Sequence, residues 1–361
     1  MERRPSGLYN RLKSNALGLI SFSIIMILAL VAIFAYQLAP DASKNANQMH
    51  LSIHSQPPGF EVQILRLPLQ QSSGDAPSFF NGHSIDHDAI PIEDWRIQNG
   101  VLEIRPFGRR QGYYEPIATN RIPQGQNLHD FVSQNVEKQQ FLLGTDKYGR
   151  DLLSRLIIGS RVSLAIGFVA VFISLLIGIV LGAISGYFGG KIDAAIMWLI
   201  NIVWSIPTLL LVIAITLVLG RGFWQVFIAV GLSMWVEVAR LVRGQVIGLK
   251  ERTFIQAAHT LGFSNGTIIF SHLLPLLVAP LIVLSAANFA SAILIESGLS
   301  FLGIGAQPPI PSWGGMIKDH FRYLLLGKPY LALLPGLCIM LLVLAFMTLG
   351  NSLRDALDVK N

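Results

Sequence analysis

The chain has 361 residues, 52% of them hydrophobic and 13% charged, with a mean hydropathy of +0.54. Those proportions exclude an ordinary soluble globular domain and indicate a membrane protein. The net charge of +6 does not point to nucleic acid, because the basic residues flank apolar runs or scatter through one long polar segment.

Residues 1–15 form a basic tail with Arg3, Arg4, Arg11 and Lys13, and the run from Ala16 to Leu38 is a first predicted transmembrane helix, spanning 16–39 with its boundary. It is longer than the 7 to 15 apolar residues of a signal peptide, so it is read as a retained span. Residues 40–150 have another texture, rich in Pro, Gln, Asn, Ser and Gly, and read as an extracytoplasmic insert. Phe60 to Leu67 and Trp95 to Arg105 alternate apolar and polar residues, and Asn99-Gly100 is a hairpin turn signal. Gln70 to Ser84 reads as loop. The insert has too few apolar residues to promise its own core and is expected to lean on the membrane domain or a partner.

Residues 151–352 then form a core with five more spans. Leu152 to Leu164 has helical apolar spacing with Arg155 and Arg161 on the polar side, the pattern of an interfacial helix entering the second span or, equally, of plain membrane flanking. That span covers Val162 to Tyr187, the third Ala194 to Leu219 and the fourth Phe223 to Leu241. Pro207, with Asn201 and Ser205 nearby, is expected to kink the third span and free carbonyls toward a cavity. The fifth span covers Leu276 to Leu299 and the sixth Tyr330 to Leu349, and residues 353–361 are a short tail.

Between the fourth and fifth spans lies a polar loop, residues 250–275, that reads as two short helices and a turn. Thr253 is placed to cap the first helix, with Gln256 reaching back to the cap's N–H. Gly262 stops that helix by taking the left-handed conformation, and Ser264 caps a second helix that ends before Pro275. Ala257 and Ala258 leave one face bare enough for another protein to approach the backbone. The pattern is a docking knob; His259 and His272 belong to it, with His272 on the helix surface and no metal site implied.

The positive-inside rule places the first tail, the loop with Arg240, Arg243, Lys250 and Arg252, and the tail with Arg354 and Lys360 in the cytoplasm. The predicted class is an all-α polytopic membrane protein with six transmembrane helices and a small β-containing insert. The only cysteine, Cys338, lies in the sixth span, so neither an intramolecular disulfide nor a cysteine-built metal site is available. Glu237 and Glu296, near the ends of apolar runs, join Pro207 as candidates for the translocation pathway or a gate. No GxxxxGK[ST], HExxH or GxSxG appears, so no catalytic residue, metal site or cofactor is expected. There is no repeat of 20 to 50 residues.

Three stretches together resemble the membrane subunits of ATP-binding-cassette importers, in particular the dipeptide/oligopeptide permease family with its type I (MetI-like) fold. They are LGTDKYGRDLLSRLIIGSRVSL from Leu143 to Leu164, the loop QAAHTLGFSNGTIIFSHLLP from Gln256 to Pro275, and ESGLSFLGIG from Glu296 to Gly305 followed by Trp313-Gly314, Pro335-Gly336 and GNSLRDALD from Gly350 to Asp358. The resemblance covers most of Leu142 to Asp358. It departs from the family at Gln256, where a Glu is usual, at Asn351-Ser352, where Asp-Gly is expected, and at Val359, where a Pro is common. It implies an ATPase-coupling loop containing Gln256, Ala257, Ala258, Leu261, Gly262, Phe263 and Pro275.

The resemblance also implies partners: a homologous second permease subunit, two nucleotide-binding ATPase subunits that hold the ATP, and an extracytoplasmic solute-binding protein, all at a bacterial inner membrane. Peptides are the expected cargo. Two other classes stay open at this point: an ion-coupled secondary transporter using Glu237 and Glu296, and a membrane anchor or scaffold.

Overall fold

The computed structural model describes residues 15–69, 82–83, 85, 87–123, 125–220 and 222–357. The expected loop from Gln70 to Ser84 lies almost wholly outside them. The chain divides into two compact units. One takes the residues up to Ala29, Val162–Gln307 and those from Gly336; the other takes Leu30–Arg161 and Pro308–Pro335.

Helices long and apolar enough to cross a membrane number five among the described residues, or six if one bent pair counts as a single span. They are α1 (Ala16–Ile33), α3 (Leu152–Phe188), α6 (Phe223–Lys250), α8 (Asn265–Phe301) and α10 (Tyr330–Leu357), with α4 (Gly190–Trp204) and α5 (Thr208–Leu219) as the bent pair. A 95° bend separates α4 from α5. Pro207 stands at that break, where its ring and missing N–H prevent the helix from running through.

In the first unit α3 and α6 approach closely. Gly178, Gly182 and Gly186 fall every fourth residue on one face of α3, and a Cβ on each would sit 2.4 Å from Val238 Cβ, 2.5 Å from Ala239 O and 2.8 Å from Arg243 O, respectively. Only a stripe without side chains lets the two backbones come so near. Phe289 of α8 stacks on Phe346 of α10 at 3.8 Å between centroids, and Phe168 meets its edge.

The second unit carries a five-stranded antiparallel sheet in the order β4-β3-β2-β1-β5, formed by β1 (Phe60–Pro68), β2 (His87–Gln98), β3 (Val101–Pro106), β4 (Glu115–Pro116) and β5 (Val136–Phe141). Asn99 and Gly100 both take positive φ, 51° and 75°, between β2 and β3, as a two-residue turn matched to the strand twist requires. Few as its apolar residues are, this segment has a core of its own: Leu65, Leu67, Ile92, Leu102, Ile104 and Phe131 are buried together on one side of the sheet, under α2 (Leu128–Asn135). A second cluster joins Ile53, Val62, Ile64 and Phe141. Neighbouring positions on β1 are buried on both faces, a pattern that strict alternation undercounts.

The turn before α3 ties this unit together. Asp146, fully buried, accepts from the backbone N–H groups of Tyr148 and Arg150 and from Arg150 Nε at 2.7 Å. Arg155 is buried too, donating to the carbonyls of Asn45 and Ala46. The expected interfacial helix is therefore corrected: Leu152 to Leu164 is the first part of one 37-residue helix, and Arg155 faces protein carbonyls and Asp146, not a membrane surface. Asp151 caps α3, its Oδ2 accepting from Ser154 N at 2.8 Å. Trp313, which opens α9 (Trp313–His320), donates from Nε1 to Leu156 O at 3.0 Å.

Candidate functional site

The loop singled out in the sequence folds as an elbow of α7 (Thr253–Thr260) and the start of α8. α7 closes with the pairing of a Schellman motif. Phe263 N donates to Ala258 O and Gly262 N to His259 O, while Gly262 takes φ of +83°. Ser264 then caps α8, its Oγ accepting from Thr267 N at 3.2 Å.

Three local expectations are corrected. Thr253 does not cap α7: the cap position belongs to Arg252, in extended backbone and without a side-chain hydrogen bond, and Thr253 is already helical. Gln256 accordingly does not close a capping box; its Nε2 donates to Glu251 O at 3.3 Å. The cause is the short link after α6, which ends at Lys250 and leaves one extended residue before the chain turns again. Nor does the second helix end before Pro275. It continues to Phe301 through a π-helical turn at Ile268–Leu273, and this wider turn accommodates a proline that an α-helical register would set against the carbonyl four residues back.

The third correction concerns the bare face. Ala258 is buried with Ile255 in a cluster that also holds Val242, Val246, Ile268, Leu273 and Leu277, so it anchors the elbow inward. The outward face carries Gln256 and Ala257 together with Phe254, Leu261 and Phe263; Leu261 is 76% exposed. Phe254 joins the residues singled out in the sequence. Its signal was available in the spacing, since Phe254, Ala257 and Leu261 recur three and four residues apart on one helix face. Pro275 lies on α8 beyond the π turn, outside this face.

Beside the elbow, Arg243 makes a bidentate pair with Asp193, from Nε to Oδ1 and from Nη2 to Oδ2, both at 2.6 Å. Ser185 donates to the same carboxylate. The planar fork joins α6 to the start of α4 in one orientation. Arg240 lies 3.5 Å over the ring of Trp204. No sequence spacing connected these partners.

The pathway candidates do not form one constellation with the elbow. Glu237 is exposed at the middle of α6. Glu296 is 0% exposed, accepts from Ser300 Oγ at 2.6 Å, and stands roughly 45 Å along α8 from Asn265. Ser300 Oγ in turn accepts from Ala306 N, so the carboxylate fixes the turn that follows α8.

A family described as the binding-protein-dependent transport system inner membrane component matches residues 178–360, and one described as the N-terminal TM domain of oligopeptide transport permease C matches residues 8–58. The chain is 45% identical over 217 residues to the dipeptide transport system permease protein DppC of Alkalihalophilus pseudofirmus, covering 60% of this chain and 71% of that one. It is 42% identical over 236 residues to the glutathione transport system permease protein GsiD of Escherichia coli, covering 65% of this chain and 78% of that one. Among solved structures it is similar to the inward-facing MetNI methionine ABC transporter, with 20% identity and a TM-score of 0.47 over 57% of this chain and 97% of that one. With its multiple apolar spans and a match over half its length, the chain belongs to the binding-protein-dependent transport system inner membrane component family, as a permease subunit of an ATP-binding-cassette importer.

Proposed function

We propose that this subunit forms half of a peptide translocation pathway and receives its driving force at the elbow. Within the proposal both termini and the elbow are cytoplasmic, in keeping with the positive-inside rule, and the insert over residues 40–150 is extracytoplasmic. One of two separate ATPase subunits docks at the elbow, a homologous permease completes the pathway, and a solute-binding protein delivers cargo from outside. The chain has no phosphate-binding loop of its own, so hydrolysis belongs to those partners. Peptide cargo is supported by relatives named for dipeptide and glutathione transport.

The observation that carries the reading is the two-sided elbow. Ile255 and Ala258 key it into the first unit, while Phe254, Ala257, Leu261 and Phe263 are left facing outward on a helix closed by a Schellman turn. A stiff apolar knob transmits displacement that a loose loop would absorb. Gating then follows from the ATPases binding one arrangement of the elbow more tightly than the other.

The test uses the complete complex in proteoliposomes. Leu261→Cys is expected to crosslink to an ATPase subunit, and Gly262→Pro, which cannot take φ of +83°, is expected to abolish ATP-driven dipeptide uptake. Undiminished uptake by Gly262→Pro, or crosslinks that never reach an ATPase, would refute the assignment.

A further inference from the structure

The last turn of α3 and the elbow are joined by a clasp centred on Tyr187. This side chain is 3% exposed, and its hydroxyl donates to Asn265 Oδ1 at 2.8 Å while lying 3.0 Å from His259 Nε2. A phenol carries one proton. With that proton directed to Asn265, the tyrosine oxygen is the acceptor and His259 Nε2 bears a hydrogen. The phenol and imidazole planes are 14° apart with centroids at 6.0 Å. From the other side, Lys250 Nζ donates to the carbonyl of Tyr187 at 2.6 Å. His259 is in the last turn of α7, Asn265 opens α8 and Lys250 ends α6, so four helices meet at one residue.

We propose that Tyr187 is a positioning residue that transmits displacement of the elbow to α3. The apolar contacts beneath α7 are non-directional and permit sliding, whereas the two hydrogen bonds at the phenol oxygen fix the direction in which the elbow can pull. α7 has eight residues, too few to hold a helix by itself, so its orientation depends on such ties. The inference rests on the elbow being the ATPase dock.

Tyr187→Phe removes the hydroxyl and keeps the ring in its cluster, so the fold is retained. In the reconstituted complex it is expected to leave basal ATP hydrolysis unchanged and to lower the stimulation of hydrolysis by the solute-binding protein about tenfold, as loss of two hydrogen bonds implies. His259→Gln, whose amide can still donate to the tyrosine oxygen, is expected to retain the stimulation, and His259→Leu to lose it. The double variant Tyr187→Phe with His259→Leu should lose no more than the larger single effect, because the bond that His259→Leu removes is already absent in Tyr187→Phe.

The Leu261→Cys crosslink to the ATPase, measured in the same preparations, separates the two readings. If the crosslink fails in the complex with Tyr187 and His259 intact, the dock itself is overturned. If it forms but Tyr187→Phe retains full stimulation, or if the two single losses multiply in the double variant, the clasp is overturned and the dock stands.

Discussion

At the scale of single residues, the elbow depends on backbone conformations that few side chains tolerate. Gly262 has open space around its missing Cβ, so a substitution there meets no neighbour and its cost is conformational alone. Gly262→Ala is expected to destabilise the elbow by about 1 kcal/mol. Hydrogen exchange of the α7 amides should then run roughly fivefold faster, while the rest of the first unit is unchanged. Ser264→Ala should cost a similar ~1 kcal/mol by removing the acceptor for Thr267 N, read as faster exchange at the start of α8. These two positions were legible because a left-handed turn and a helix start each favour a short list of residues. Thr253 was not, because the link from α6 decides which residue is extended, and that is a property of two helices rather than of a motif. Ala258 is ambiguous in sequence for a related reason. A small residue permits close approach from either side, and only the packed structure says that the approach comes from within the chain.

At the scale of elements, long apolar runs and the Asn99-Gly100 turn announce spans and hairpin, since each records a local requirement. The close packing of α3 on α6 was written as plainly, in Gly178, Gly182 and Gly186, but an apolar run draws attention to its length before its spacing. Gly182→Leu is expected to drive a side chain into Ala239 O and the Val242 side chain, and overpacking against backbone costs ~3 kcal/mol or more. Purification should yield little monodisperse complex. Gly248→Ala is the matched control: it lies in α6 with nothing near its Cβ, and alanine favours the helix by up to about 1 kcal/mol, so yield is expected to hold or rise. Equal yields from the two variants would mean that the stripe is not a packing device. The continuation of α8 past Pro275 was hidden for the opposite reason. A proline is a reliable breaker in an α-helical register, and nothing local reveals that the preceding turn is π.

At the scale of the whole molecule, one of the three stretches that resemble a known family, beginning at Leu143, proves to fasten the second unit. Its Asp146 and Arg150 are buried together, and Lys147 reaches Asp319 at 2.9 Å while its N–H donates to His320 Nε2 at 3.3 Å. His320 Nδ1 lies 2.7 Å from Met316 O. One nitrogen donates and the other accepts, so this imidazole is held neutral, and burial depresses its pKa below the usual 6.5 despite the hydrogen bond to Met316. His50 is depressed as well, again first by burial. The unfolded chain binds protons on both histidines near pH 6.5 while the folded unit resists them, so their contribution is complete above that pH and declines as pH falls through and below it. Asp151 opposes the trend, because burial raises its pKa, but its effect begins only as pH rises above the ordinary carboxylate value of 3.8 and grows from there toward its raised folded value. The melting temperature of the purified complex is therefore expected to drop between pH 7.5 and pH 5.5. His320→Gln, which cannot take up a proton, should shrink that drop whatever it does to stability at pH 7.5, because removing a titrating group alters the slope and not merely the level. A drop of the same size in His320→Gln would place the sensitivity in other groups.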